Sequence, residues 1–326
     1  MSGLKMDTGF HGRIAICIVL AVGLCLIIPG FASVATASSV VENVGLIALV
    51  GAGIMLTMVV GQLDLSIASV AAVAAIIALK IAGVSLLLGI VVALGVAAIY
   101  GAGIGYIIGR TGINSMVLTV CTLIGLRGLA LVMAPQRPAI LPGDLFWVSD
   151  ALVARIGPVT VLGLIGIFVV IIVGVLMRYT TTGLSMYAVG GHAERARGSG
   201  VNTTRIYMVA FAGSALLGAL AGILAAVRSG SASGLGFESF LLAGITAAVV
   251  GGVPLEGGRG TVVNVLIGAL IIRLVSTAVS LGGIAGSFES IVIGGILLAM
   301  LLLDYWLRKR GGSRSGIRGT IKQTAS

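Results

Sequence analysis

The chain has 326 residues, 58% of them hydrophobic and only 9% charged, with 20 Lys/Arg against 10 Asp/Glu and a net charge of +10. Soluble domains carry roughly 25% charged residues, so this composition and a mean hydropathy of +1.21 exclude a water-soluble fold. Only helices and closed barrels satisfy the backbone in lipid, and long apolar runs without strand-like alternation leave an all-α, polytopic membrane protein forming a single domain over 1–326.

Lys5 and Arg13 precede the first apolar run, Ile14 to about Ser33. The Ala35-Thr36-Ala37 that follows imitates a signal-peptide cleavage site. The run is nonetheless long enough to span, at about 20 residues per crossing, and further spans follow it. A second run, Val44 to Gly61, is interrupted by Gln62-Leu63-Asp64-Leu65-Ser66 before a short third, Ile67 to Leu79. The fourth, Ser85 to Gly109, carries Gly101, Gly105 and Gly109 at four-residue spacing, a pattern that predicts a helix-packing seam. Met116 to Ala134 forms the fifth span, with Arg127 inside it.

The connection from Pro135 to Pro158 is rich in proline and balanced in charge, which suits the outer side, with Phe146 and Trp147 as interfacial anchors. The sixth span, Val159 to Met177, leads into RYTTTGLSMYAVGGHAERARGSGVNTTR, Arg178 to Arg205, with four arginines. Lys and Arg concentrate in connections that stay in the cytoplasm. Gly190-Gly191 and Gly198/Gly200 bracket His192 to Arg197, a length that predicts a turn or two of helix entered and left through sharp bends. The segment reads either as an orienting loop or as a lever for a soluble partner.

Ile206 to Val227 is the seventh span, and after a Ser/Gly-rich link a short run, Phe240 to Val250, ends at the turn Gly251–Gly260. Thr261 to Leu281 and Ile291 to Leu307 complete ten predicted spans, some short or broken, before a basic tail, 308–326, expected to be disordered. With both termini cytoplasmic, this layout places fourteen Lys/Arg inside and four outside.

Val59–Leu65 and Val249–Leu255 each interrupt an apolar run, one in each half of the chain. Paired interrupted helices point to the substrate path of a transporter. Asp64 and Ser66 suit either that path or a helix cap. Arg127, costly at a span centre by roughly 2.5–3.5 kcal/mol, demands an acid, a carbonyl or water, and Arg273 has the same status. Asp64 is the only clear carboxylate candidate within a span. Cys17, Cys25 and Cys121 lie in apolar runs without ligand spacing, so neither a metal nor a cofactor is expected. There is no Gly-Lys dipeptide, no G-x-S-x-G and no H-E-x-x-H. A phosphate-binding loop or hydrolytic centre is therefore unsupported, and any ATP hydrolysis belongs to another chain.

Several stretches resemble the permease subunit of bacterial ribose-type sugar ABC importers, in the branched-chain amino-acid/ribose permease superfamily. Gly61-Gln62-Leu63-Asp64-Leu65-Ser66-Ile67-Ala68-Ser69 is similar to that family's Gly-Gly-Ile-Asp-Leu-Ser-Val-Gly-Ser, departing at Gln62 and Ala68. Thr119–Leu131 resembles its fifth span, Ala188–Asn202 its ATPase-contacting loop, and Gly234–Ala243 and Val249–Thr261 two further stretches. The resemblance implies an importer of two permeases, identical or not, with two ATP-binding cassette subunits and a periplasmic binding protein, moving a monosaccharide or polyol through the inner membrane. Gly190, Gly191, His192, Glu194, Arg195, Arg197, Ser199 and Gly200 would then couple to the ATPase, and Asp64, Ser66 and Arg127 would line the path. Rival readings are a branched-chain amino-acid or nucleoside ABC permease, an ion-coupled secondary transporter, and a membrane scaffold without transport.

Overall fold

The computed structural model describes residues 8–135, 137–283 and 287–312. In chain order the elements are α1 (Thr8–Ile27), α2 (Val34–Val59), α3 (Ile67–Ile81), α4 (Leu86–Thr111), α5 (Ser115–Met133), β1 (Ala139–Ile140), α6 (Phe146–Val153), β2 (Arg155–Ile156) and β3 (Val159–Thr160). There follow α7 (Val161–Tyr179), α8 (Thr181–Gly191), α9 (Ala193–Gly198), α10 (Thr203–Ser229), β4 (Ser231–Ala232), α11 (Glu238–Gly251), α12 (Val262–Leu281) and α13 (Ser287–Gly312). Helices α2, α4, α5, α7, α10 and α12 are long and apolar enough to cross a membrane, and shorter apolar helices cover His11–Ile27, Ile67–Ile81, Glu238–Gly251 and Ile291–Met300.

Short polar side chains start these helices. The side chains of Ser33, Ser85, Asn114, Thr160, Thr180, Asn202 and Thr261 each accept a backbone N–H from the first turn of the helix that follows. Each cap satisfies a first-turn donor that has no partner within its own helix.

Helix α2 forms the centre of the bundle, with Ala48, Leu49, Ile54, Met55 and Met58 fully buried. It packs on α7, α10, α11 and α12. Its start differs from the expected Val44: the Ser33 cap begins it at Val34, and the polar residues before Val44 lie within the helix. Helix α10 packs on α2, α3 and, most extensively, α4. The predicted glycine seam is the reason. A Cβ at Gly101 would strike the Phe211 carbonyl, one at Gly105 the Tyr207 carbonyl, and one at Gly109 the Thr204 backbone, whereas Gly103 faces open space. Thr204 Oγ1 donates to the Gly109 carbonyl at 3.0 Å, closing the end of the seam.

The two ends of the bundle differ. At one end lie the C-terminal ends of α2 and α4, the start of α10, the α8–α9 segment and the turn 252–261, gathering Arg110, Arg195, Arg197, Arg205 and Arg259. At the other, α6 and a two-stranded antiparallel ladder, with Ala139 opposite Ala232, cover the end of α10. Ser149 Oγ there donates to the Arg228 carbonyl at 2.9 Å. The Pro135–Pro158 connection is therefore more ordered than a bare loop. At the C-terminus α13 continues to Gly312, so Arg308–Arg310 extend a helix instead of opening the tail. Lys5 and the remaining tail basics Arg314, Arg318 and Lys322 lie outside the described residues.

Gly105→Leu should force α4 off α10 and cost about 1–3 kcal/mol through overpacking, while Gly103→Leu should leave stability unchanged. Thermal unfolding midpoints of both variants in detergent micelles check this, and equal midpoints would disprove the seam.

Candidate coupling and translocation sites

The Arg178–Arg205 segment folds into two helices at an angle. Thr180 Oγ1 accepts from Gly183 N–H at 3.1 Å to start α8. The backbone then breaks at His192, which is extended (φ −162°) and followed by the single turn and a half of α9. Ala196 is the buried anchor of α9, while Glu194, Arg195 and Ser199 are exposed. Gly200 ends α9 in the left-handed region (φ 85°), where its N–H reaches the Arg197 carbonyl and Val201 N–H reaches the Ala196 carbonyl, both at 3.0 Å. Gly198 is the last residue of α9, so the exit bend falls on Gly200.

Two of the residues placed on the coupling surface have other contacts. Arg197 Nη2 donates to Thr203 Oγ1 at 3.1 Å, tying α9 to the start of α10. Gly190 faces inward: a Cβ there would overlap the Val59 carbonyl and crowd the Gly258 amide. The exposed side of this segment is therefore His192, Glu194, Arg195 and Ser199, the last with its hydroxyl on the Arg195 carbonyl, while the Gly191 backbone lies against Gly258.

Both interrupted segments end in one local structure. After α2, Gly61 N–H donates to the Met58 carbonyl and Gln62 N–H to the Thr57 carbonyl, both at 2.9 Å. After α11, Gly252 N–H donates to the Val249 carbonyl and Val253 N–H to the Ala248 carbonyl, again both at 2.9 Å. Gly61 (φ 74°) and Gly252 (φ 96°) occupy the left-handed position these caps require. The equivalent of Gly61 is thus Gly252 and not Gly251, the residue that follows the paired valines in the second segment as Gly61 does in the first. The turn that continues the second segment touches the first: Gly258 N–H donates to the Val59 carbonyl at 2.8 Å.

Asp64, just past the first interruption, is 1% exposed, as is Ser66. Asp64 Oδ1 accepts from the Ser66 N–H at 2.9 Å and the Ser66 hydroxyl at 2.6 Å, and Oδ2 accepts from the Ser214 hydroxyl of α10 at 2.8 Å. Neither side chain caps the first turn of α3: Ser66 occupies the N-cap position, but its hydroxyl is turned onto the Asp64 carboxyl. Neighbouring polar contacts join α5 to the same break, with Ser115 Oγ accepting from Leu63 N–H at 3.2 Å and Thr119 Oγ1 donating to the Leu63 carbonyl at 3.3 Å.

Arg127 is not part of that cluster. It pairs with Glu238, in the first turn of α11, at 2.5 Å, with both side chains about half exposed (46% and 54%). Helix α5 buries only Ser115, Thr119 and Ala130, so the pair sits on a largely uncovered face. Two further pairs lie in the bundle: Arg228 with Glu42, and Arg273 with Glu289 at 3.8 Å. Glu42 corrects the expectation that Asp64 is the only carboxylate within a span. It lies inside α2 and is 5% exposed; the polar stretch from Ala35 to Asn43 hid it, because such composition reads as a loop. Arg273 and Glu289, on consecutive helices, meet through the packing of α12 on α13.

An apolar bundle with two interrupted segments, charges paired inside it and a short exposed lever at one end defines a multi-pass membrane transport subunit. Residues 36–301 match the family model described as branched-chain amino acid transport system / permease component, and the chain belongs to that family. It is 33% identical to the ribose import permease protein of Haemophilus influenzae, over 90% of this chain and 92% of that one. It is 29% identical to the L-arabinose transport system permease protein of Escherichia coli (92% and 91% covered) and 30% to the L-arabinose ABC transporter permease protein of Azospirillum brasilense (92% and 88%). No solved structure matches the chain.

Ser214→Ala should leave a carboxyl oxygen of Asp64 buried without its donor, at a cost of about 1–3 kcal/mol. Unfolding titrations in mixed micelles check this; an unchanged midpoint would show that the hydroxyl contributes nothing.

Proposed function

We propose that this chain is the membrane-spanning subunit of an ATP-driven importer carrying a monosaccharide or related polyol, pentoses first, across the bacterial inner membrane. The sugar relatives favour this substrate class over the amino acids named in the family description. The observation that carries the ATP-driven reading is α9, a helix of six residues with one buried anchor and a polar free face, held between the His192 break and the Gly200 bend. Such an element has little packing of its own to hold it in place, and it suits docking into a soluble neighbour.

In this reading ten helices span the membrane, both termini are cytoplasmic, and the basic end of the bundle faces the cytoplasm. Two ATP-binding cassette subunits grip the levers of two permease copies, and a periplasmic binding protein delivers the sugar at the opposite end. The chain itself holds no cofactor. Closure of the ATPases moves α9 and biases the bundle between outward-open and inward-open states.

The path runs along the α3–α5 side, past Asp64 and Ser66, with Arg127 and its partner Glu238 near its outer mouth. A half-exposed ion pair on an apolar span is costly against lipid, which favours an aqueous or protein-covered face for it.

Replacing Glu194 and Arg195 together with Ala should lower uptake of labelled ribose or L-arabinose at least tenfold in proteoliposomes holding the whole transporter, with binding-protein affinity retained. Full uptake by that double variant would refute the lever. Arg127→Glu alone should lower uptake at least tenfold, and the exchanged pair Arg127→Glu/Glu238→Arg should recover most of it; recovery failing in a folded, assembled double variant would show that the two residues do not act as a pair.

A further inference from the structure

The last carbonyls of a helix have no partner within it. For α2 the carbonyl of Val59 is taken up by the amide of Gly258, from the turn that leads out of α11 into α12. Gly190, one residue before the end of α8, presses onto that same carbonyl with no side chain between the backbones. One turn back along α8, Tyr187 reaches the same turn and donates its hydroxyl to the Gly260 carbonyl at 2.7 Å. Gly258 in turn leaves no room for a Cβ against Gly191, and Gly257 none against Gly61. The end of α8 thus touches the first interrupted segment and the turn that continues the second, by backbone contacts and one side-chain hydrogen bond.

We propose that this knot is the transmission: Tyr187 is a positioning residue that locks α8 to the 257–260 turn, so that movement of the lever shifts both helix interruptions together. The inference rests on the coupling role proposed for α9 and adds how its motion enters the bundle. Closely packed interiors transmit displacement instead of absorbing it, and backbone against backbone is the least compliant contact available. Without the tyrosine hydroxyl, α8 keeps its backbone contacts with Val59 and Gly258 but loses the one directional bond that ties it to Gly260. The other half of the chain would then respond less to the lever. Burial pushes the Tyr187 phenol above the usual tyrosine range, so it remains a donor at any working pH.

Hydrogen-exchange mass spectrometry on the complete transporter, with and without adenylyl imidodiphosphate, tests the proposal. In the unmodified protein the nucleotide should change exchange at 193–198, and at 59–66 and 251–260 with one shared concentration midpoint. Tyr187→Phe, which removes one oxygen, should keep the change at 193–198, cut that at 251–260 at least threefold, and lower the solute moved per ATP hydrolysed by a similar factor. A full response at 251–260 in an assembled Tyr187→Phe transporter would overturn the transmission. So would separate midpoints for the two segments in the unmodified protein, a result that needs no variant. A silent 193–198 in the unmodified protein would instead remove the lever reading, and this inference with it.

Discussion

Inside an apolar bundle a helix can stop only where something else satisfies its free carbonyls, because no water is there to do so. The ends of α2 and α11 meet this constraint with one solution, a left-handed glycine that folds two amides back onto the last turn. What remains unsatisfied at α2, the Val59 carbonyl, is closed by an amide from the other half of the chain. The position of α3, the burial of Asp64 and the seat of α8 all follow from where these two helices stop. The glycines at 190 and 258 are therefore structural in a stronger sense than flexibility, since there is no volume for anything larger, whereas at 61 the left-handed backbone (φ 74°) is what calls for glycine.

Charge inside the bundle follows a related rule. An ionised group in a low-dielectric interior is tolerated when paired, and Arg127, Arg228 and Arg273 each have a carboxylate. The pairs differ in setting. Glu42 is enclosed, so its pairing with Arg228 fastens α2 to the end of α10. Arg127, on the sparsely buried α5, and Glu238, at the start of α11, both stand half exposed. Two pairs of the same chemistry thus suit different tasks, one fastening helices and one remaining available to water, solute or a second subunit.

Much of the architecture could be read directly from residues. The spacing of Gly101, Gly105 and Gly109 announced a helix seam because small residues every fourth position line one helix face, and that face meets α10. The bend at Gly200 and the interruption at Gly61 were readable because only glycine adopts the required backbone at little cost. Glu42 was missed for an opposite reason: polar side chains in the first turns of a helix resemble a loop until the partner that neutralises them, Arg228, is known. The inward turn of Gly190 was hidden likewise, since its neighbours Val59 and Gly258 lie far away in the sequence.

Composition and local pattern by themselves determined an all-helical membrane protein, its apolar helices, the two interruptions and the short charged helix between His192 and Gly200. Each depends on hydropathy, glycine conformation or capping chemistry, which act over a few residues. Tertiary structure alone decided the partners: Asp64 with Ser214, Arg127 with Glu238, Glu42 with Arg228, and the meeting of α8 with the first interruption and the turn that continues the second. Such contacts join segments 150 residues apart and more, and no local preference encodes them, because they depend on which helix faces the bundle brings together.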